Sequence, residues 1–370
     1  KKFIATLAWN EIMKIVIVAN IPAPYRESVY EQLSEKDGVD LTVIYCAAIE
    51  KNRKWILENP KYKAVFLKSK TFSFGEYHFH FNTSEISKQL RSINPNIVIT
   101  NAFAFPMLVA FLYTLFFGKK HICFTDGTLV TEKKLTILHK LVRKLVFSKT
   151  SAFIGPSDAT EVLYKSYGVD GSEIFKSHLC VDNKKYINNV LVENREYDIL
   201  FVGQFIERKC TDFFARVVSG LVMKLGVCNV RVVGSGPLQE TFIQALKSTN
   251  ANITFDGFVQ QDELPAVYRS AKLLLMPTKE DCWGVVANEA LASGTPVITN
   301  IEAGVAGELV IDGISGRVLD LDVNTWVEEI IKLLSNKDLL QHMSVQSHPI
   351  VSDYTFTNAS QGIYDAIKSV

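Results

Sequence analysis

The 370-residue chain lacks several features that would narrow its function at once. Its six cysteines, Cys46, Cys123, Cys180, Cys210, Cys228 and Cys282, include no C-x-x-C pair, so neither a zinc site nor a thioredoxin-like motif is indicated. Several lie inside apolar runs, where free cysteine packs as a small hydrophobe, and the pattern fits a reducing, cytoplasmic setting. Net charge is nearly absent: 40 Lys and Arg face 39 Asp and Glu, so there is no global attraction to nucleic acid. No apolar run has the length of a membrane span. The most apolar stretch, 102–117, contains Pro106 and reads as a buried or interfacial helix. The segment before Met13 has too short and broken an apolar core for a signal peptide. Met13 fits a native start, with residues 1–12 an upstream extension or a cloning scar. No repeat of solenoid length and no low-complexity tract occurs. After Gly234-Ser-Gly236 the third glycine of a dinucleotide fingerprint is missing. Gln239 stands in its place, which argues against a dehydrogenase.

What is present is a rhythm of strand then helix. The chain is 48% hydrophobic and 21% charged, enough for ample core, and its length suggests two domains. Apolar runs at 14–19, 41–47, 97–100, 122–125 and 152–155 are each followed by a helical pattern. The rhythm restarts at 198–202 and continues at 229–233, 253–255, 272–276 and 296–298. Continuous apolar strands between helices predict parallel sheets covered on both faces. The polar stretch 181–197 reads as an interdomain linker. The expected domains are 13–182 and 197–350, with 351–370 carrying a last helix, from about Asn358 to Lys368, that can pack back on either domain, the N-terminal one among them.

The segment Met276 to Thr299 carries the most chemistry. A strand ends at Met276, a loop holds Asp281 and Gly284, a helix runs from about Val285, and Gly294-Thr-Pro296 leads into the next strand. Free N–H groups and the helix dipole make such a loop an anion site. Glu289 follows on the helix, where its two oxygens can accept both hydroxyls of a ribose diol. Asp281 in the loop can hold sugar hydroxyls.

Asp281-Cys-Trp-Gly-Val-Val-Ala-Asn-Glu289, followed by Ala-Leu-Ala-Ser-Gly-Thr-Pro, resembles the signature of glycosyltransferase family 4: two acids separated by seven residues, then a small-residue helix ending in G-x-P. The resemblance implies a GT-B fold, an α/β architecture of two Rossmann-like domains whose parallel sheets face across a cleft. It implies a nucleotide-diphosphate-sugar donor and retention of anomeric configuration. It gives Glu289 the ribose and Asp281 the transferred sugar, with Asp where the family usually has Glu. Phe201 to Lys209 resembles the family's G-R-x-x-x-x-K loop, in which cations contact the donor diphosphate. Lys209 aligns with the family lysine, Gln204 stands where Arg is common, and Arg208 supplies a second charge. Gly203 and Gly234 belong to donor-side turns, the latter within Gly-Ser-Gly-Pro237. Phe258 and Val259 frame the nucleobase, and Cys282, Trp283, Gly284 and Val285 complete the donor loop. Pro22-Ala-Pro-Tyr-Arg26 is similar to an acceptor-side loop, placing Arg26 there. Asp126, after a strand, occupies the region where many members place a catalytic-side His.

Other motifs receive plainer readings. Asp320-Leu-Asp322 reads as a surface loop and helix cap rather than a metal triplet. His78 and His80 alternate with strand periodicity, with no third ligand in view. Lys133, Ile137, Lys140, Lys144 and Phe147 fall on one helix face, a mixture suited to an anionic membrane surface. The expectation is a hexosyltransferase with catalytic Asp281, Lys209, Arg208 and Asp126. Its donor is a UDP- or GDP-sugar and its acceptor a glycan or glycolipid, in bacterial surface polysaccharide synthesis. It needs no metal or cofactor and no nucleic acid, and it sits in the cytoplasm or peripherally on the inner membrane face. A nucleotide-sugar epimerase of the same fold and a non-catalytic nucleotide-sugar-binding scaffold are the alternatives.

Overall fold

The structure, a computed structural model, describes residues 12–50, 59–68, 71–74, 77–80, 83–187 and 190–370. The upstream segment 1–11 and the side chains of His78 and His80 lie outside the described residues. The chain forms two compact units, 1–178 with 356–370, and 179–355.

The first unit holds a seven-stranded sheet in the order β3-β2-β1-β6-β7-β8-β9. Its strands are β1 (Met13–Ala19), β2 (Val39–Tyr45), β3 (Lys63–Phe66), β6 (Ile97–Asn101), β7 (Lys120–Phe124), β8 (Ala152–Gly155) and β9 (Ile174–Lys176). Between β3 and β6, β4 (Thr71–Phe74) and β5 (Tyr77–His80) pair as an antiparallel hairpin of their own. All neighbours in the large sheet are parallel, with Ile15 opposite Leu41 on one side and Ile97 on the other. Ile15 to Val18 are wholly buried, as a strand covered on both faces requires. The helices are α1 (Pro24–Ser34), α2 (Thr83–Ile93), α3 (Phe105–Phe117), α4 (Leu129–Glu132), α5 (Ile137–Phe147) and α6 (Asp158–Ser166). Pro106 falls in the first turn of α3, where its missing N–H is one the helix would leave unbonded anyway.

The second unit repeats the plan. Its strands are β10 (Tyr197–Val202), β11 (Asn229–Val233), β12 (Asn252–Gly257), β13 (Ala271–Met276), β14 (Val297–Thr299) and β15 (Gly316–Val318). They order as β12-β11-β10-β13-β14-β15, all parallel. Counted within the unit this is 3-2-1-4-5-6, the Rossmann order. Its helices are α7 (Asn183–Tyr186), α8 (Thr211–Leu225), α9 (Gln239–Lys247), α10 (Leu264–Arg269), α11 (Val285–Ala292), α12 (Val323–Ser335) and α13 (Lys337–Val351). In such sheets the strand order reverses between the first and fourth strands, and the crevice at their carboxyl ends is where ligands bind. That point lies between β1 and β6 in the first unit and between β10 and β13 in the second.

Two sequence expectations are corrected. The stretch read as a linker is built into the second unit: the division falls after His178, α7 forms within the stretch, and Val181, Tyr186 and Val192 are buried. Three apolar anchors spaced along a polar segment suffice to pin it. The basic helix face is also redrawn. Helix α4 ends at Glu132, Lys133 caps it, and α5 starts only at Ile137. Phe147 is buried against Phe103, Phe153 and Tyr164, and Arg143 pairs with Glu132. Asp322 does cap α12, accepting the Thr325 N–H at 2.8 Å.

The last helix, α14 (Phe356–Lys368), belongs to the first unit and packs on α1 and β9. Tyr364 donates to the Asp37 carbonyl at 3.1 Å and Lys36 to Gln361 at 2.7 Å. A Cβ on Gly362 would sit 1.7 Å from the Lys176 carbonyl oxygen, so only glycine lets the helix lie this close. Gly362→Ala is expected to destabilise the unit by about 2 kcal/mol, lowering Tm by about 4–8 °C. An unchanged melting curve would show that α14 does not depend on that contact.

Candidate functional site

In the second unit the loops after β10 and β13 meet at the point where the strand order reverses. The turn Glu207–Lys209 follows β10. Its Arg208 carbonyl accepts the Lys279 N–H at 2.8 Å and the Thr278 hydroxyl at 2.9 Å. This fixes one loop against the other. Above that joint, the Lys209 ammonium pairs with Asp281 Oδ2, both side chains being largely buried. Asp281 is immobilised on both sides, its N–H donating to Glu302 O at 3.1 Å and its carbonyl accepting from Gly304 N at 3.0 Å. Burial alone would raise the Asp281 pKa. The charge and hydrogen bond of Lys209, with Arg208 and the Trp283 N–H, outweigh it and hold the carboxyl below the usual range. Asp281 is therefore a carboxylate at neutral pH.

The loop after β11 closes a third side. Phe205 N–H donates to Ser235 O at 3.1 Å and Leu238 N–H to Phe205 O at 3.0 Å. Gly234 has φ +137°, and a Cβ there would lie 1.8 Å from the Gly203 carbonyl. The glycine requirement of this G-x-G turn thus comes from backbone meeting backbone, which brings Gly203, Gln204 and Gly234 side by side.

Glu289 lies on α11 (Val285–Ala292), about 6 Å along the helix from its start. It is buried, with Tyr186 donating to Oε1 at 3.2 Å and Tyr268 to Oε2 at 2.6 Å. Burial raises its pKa to about 7 against the opposing pull of the two phenols. Each oxygen accepts one phenol, so the ionised carboxylate keeps two of its roughly four acceptor positions. Neither tyrosine was singled out from the sequence. Tyr186 lies in the apparent linker, and Tyr268 lies on α10. Trp283, expected on the donor loop, is buried. It stacks on Tyr354 with centroids 5.7 Å apart and donates through Nε1 to Asn288 at 2.7 Å. Its side chain holds the loop shape from behind. Asn300, also missed, is wholly buried and accepts the Thr278 N–H at 2.9 Å while donating to its carbonyl at 2.8 Å. Cys282, Gly284 and Val285 lead from Asp281 into α11, and Phe258 and Val259 follow β12.

The first unit has its own cavity at the corresponding place, about 250 Å³, lined by Asn20, Arg26, Tyr30, Asn101, Ala102 and Asp126 among others. Arg26 is anchored rather than free to reach out. It donates to the Ser177 carbonyl at 3.2 Å and hydroxyl at 3.1 Å, and to Asp126 at 3.4 Å, with its guanidinium 4.4 Å over Phe124. Asp126 is the more exposed partner, at 33%. The Tyr30 hydroxyl and Asn20 Oδ1 are buried at this cavity without a partner among the described residues. An unsatisfied buried hydroxyl costs about 1–3 kcal/mol, which a hydrogen-bonding ligand would relieve.

Comparison with known proteins follows the same geometry. Residues 182–347, just under half the chain, match the family model of glycosyl transferases group 1. The structure superposes on Anabaena HepE in complex with UDP-glucose with a TM-score of 0.75, covering 97% of this chain and 100% of that one at 12% identity. The fold is GT-B. Within this GT-B chain the family match covers the second unit, where Lys209, Asp281 and Glu289 lie. An uncharacterized 41.2 kDa protein in the cps region of Klebsiella pneumoniae is 25% identical over 256 residues, 65% of this chain and 67% of that one. An uncharacterized glycosyltransferase of Methanocaldococcus jannaschii is 26% identical over 179 residues, 47% of this chain and 49% of that one. The GT-B chain thus spans about half the length of the second of these relatives.

Proposed function

We propose that the chain is a retaining glycosyltransferase of family 4 type, moving a hexose-type sugar from a nucleotide diphosphate donor to a hydroxyl of a glycan or lipid-linked acceptor. The observation that carries this reading is the Lys209–Asp281 pair, with Arg208 beside it, at the ligand-binding edge of a Rossmann unit that matches the group 1 glycosyl transferase model. UDP-glucose in the HepE complex supports a uridine donor. The cps-region relative supports a role in surface polysaccharide synthesis.

In the transfer, the bond between the sugar's anomeric carbon and the diphosphate oxygen breaks, and the electron pair leaves with the nucleoside diphosphate. The acceptor oxygen forms the new bond and its proton passes to the leaving diphosphate or to solvent. Lys209 and Arg208 stabilise the charge that grows on the diphosphate. Asp281, held rigid by its backbone bonds, orients the sugar, and Glu289 takes the ribose hydroxyls. Gly203, Gln204 and Gly234 present backbone to the donor, with Phe258 and Val259 beside the base. We assign the acceptor to the first unit's cavity, with Asp126 facing its hydroxyl and Arg26 fixing Asp126.

A ligand that binds only the folded state raises Tm. At a hundredfold excess over Kd, UDP or GDP and their sugars are expected to stabilise the protein by about 2.7 kcal/mol, with ADP giving less. Donor incubated alone should remain unchanged, and sugar should move only when a hydroxyl acceptor is added. A flat melting temperature across the nucleotide panel, or conversion of donor without acceptor, would overturn the reading.

A further inference from the structure

The outer surface of α3 and α5 is unusually apolar. The two helices lie on one face of the first unit's sheet, where Phe111 of α3 and Val146 and Phe147 of α5 share a buried cluster with Cys123 and Phe153. Their inward sides are thus accounted for. Outward, α5 exposes Ile137 (78%), Leu138 (69%), Leu141 and Leu145, and α3 exposes Leu112, Leu115, Phe116 (82%) and Phe117. Scattered exposed apolar residues are ordinary, but eight of them on two helices that share one buried cluster mark an interaction surface.

Charge identifies the partner. From 102 to 157 the sequence holds eight cations, Lys119, Lys120, Lys133, Lys134, Lys140, Arg143, Lys144 and Lys149, against two acids, Asp126 and Glu132. Neither acid faces this surface: Asp126 pairs with Arg26 at the cavity, and Glu132 is buried against Arg143. Lys133, Lys134, Lys140, Lys144 and Lys149 are all exposed. Lysine stems lie along apolar surface while their ammonium groups reach outward. Helix α5 is about 16 Å long, and among the described residues no helix is long and apolar enough to cross a membrane. Apolar side chains ringed by lysines on a short helix are the pattern of a helix lying in the plane of an anionic bilayer.

We infer that the α3–α5 face docks this protein on an anionic lipid surface, with Ile137, Leu138, Leu141 and Phe116 inserting among the acyl chains and Lys133, Lys134, Lys140 and Lys144 meeting lipid phosphates. Of the two apolar side chains expected from the sequence to insert, Ile137 is retained and Phe147, being buried, is not. The inference does not rest on the transfer reaction, since bilayer binding is read without donor or acceptor.

The test is flotation of the full chain with vesicles of phosphatidylethanolamine and phosphatidylglycerol, against vesicles of phosphatidylcholine alone. Binding is expected to the anionic vesicles only, and to weaken as salt rises. Leu138→Ser with Leu141→Ser, and separately Lys140→Glu with Lys144→Glu, should each lower the partition coefficient about tenfold or more with melting curves unchanged. Because these side chains are exposed, the variants keep the fold. Equal binding to neutral and anionic vesicles would overturn the proposal, as would wild-type partitioning of either variant. So would light scattering that shows a dimer dissolved by Leu138→Ser with Leu141→Ser, because a second copy would then be the occupant of this face.

Discussion

Replacing Lys209 by methionine is expected to lower kcat for sugar transfer by about two to three orders of magnitude, the usual effect of removing one preorganised electrostatic group from a reacting site. The donor's KM should move far less, because charge on the diphosphate is greatest in the transition state. The substitution also leaves Asp281 without its cation. In the wild type the Asp281 carboxyl is held below its ordinary value of 3.8. It therefore contributes stability above about pH 4 that is lost as pH falls through its folded pKa. Without Lys209, burial dominates and the pKa rises above that value, so the same group costs stability as pH increases past it. Melting curves from pH 4 to 7 should show the wild type gaining more than the variant. Adding Asp281→Asn to the variant should remove this loss of stability with rising pH, since Asn does not titrate, without restoring turnover. Normal turnover of Lys209→Met at saturating donor would remove Lys209 from the reaction.

Glu289→Gln is expected to raise donor KM by about 10- to 100-fold, the effect of losing one charge-assisted hydrogen bond at about 1.5–3 kcal/mol. Its kcat should change little if the ribose is held equally in ground and transition states. The pH response is more specific. Burial lifts the Glu289 pKa from 4.5 to about 7, so the carboxyl is neutral below that pH and ionised above it. Donor affinity should then increase as pH rises through about 7, and Glu289→Gln should flatten the curve. Tyr268→Phe removes a hydrogen bond that favours the ionised form, so its midpoint should shift to higher pH. Stability runs the opposite way. The neutral carboxyl's contribution is present below pH 4.5 and lost as pH rises through 7. Glu289→Gln should therefore gain on the wild type in Tm at pH 8 relative to pH 5. A pH-independent donor affinity in the wild type would separate Glu289 from the ribose.

Much of this was legible because parallel strands announce themselves. Ala152–Gly155 and Asn229–Val233 form strands with the bounds their apolar runs suggest, and the Gly294-Thr-Pro296 exit marks where α11 gives way to β14. What stayed hidden had physical causes. The strands β9 and β15 have three residues each, too few to show a period, and they form only because a neighbouring strand is already in place. Tyr186 sits among Asp, Asn and Lys, so its segment reads as solvated, and only the folded unit shows the ring turned onto Glu289. The face of α5 was misread because the helix starts four residues later than Lys133, and because periodicity alone does not tell which stripe the sheet covers. The anchoring of Arg26 by Ser177, 151 residues distant, has no local signature at all.

The most direct test is a crystal structure of the protein with a bound UDP-sugar. The account predicts the diphosphate within hydrogen-bond distance of the Lys209 ammonium, the ribose hydroxyls on the Glu289 carboxylate between Tyr186 and Tyr268, and the sugar against Asp281. A nucleotide bound in the second unit away from all three side chains, or bound only in the first unit's cavity, would contradict it.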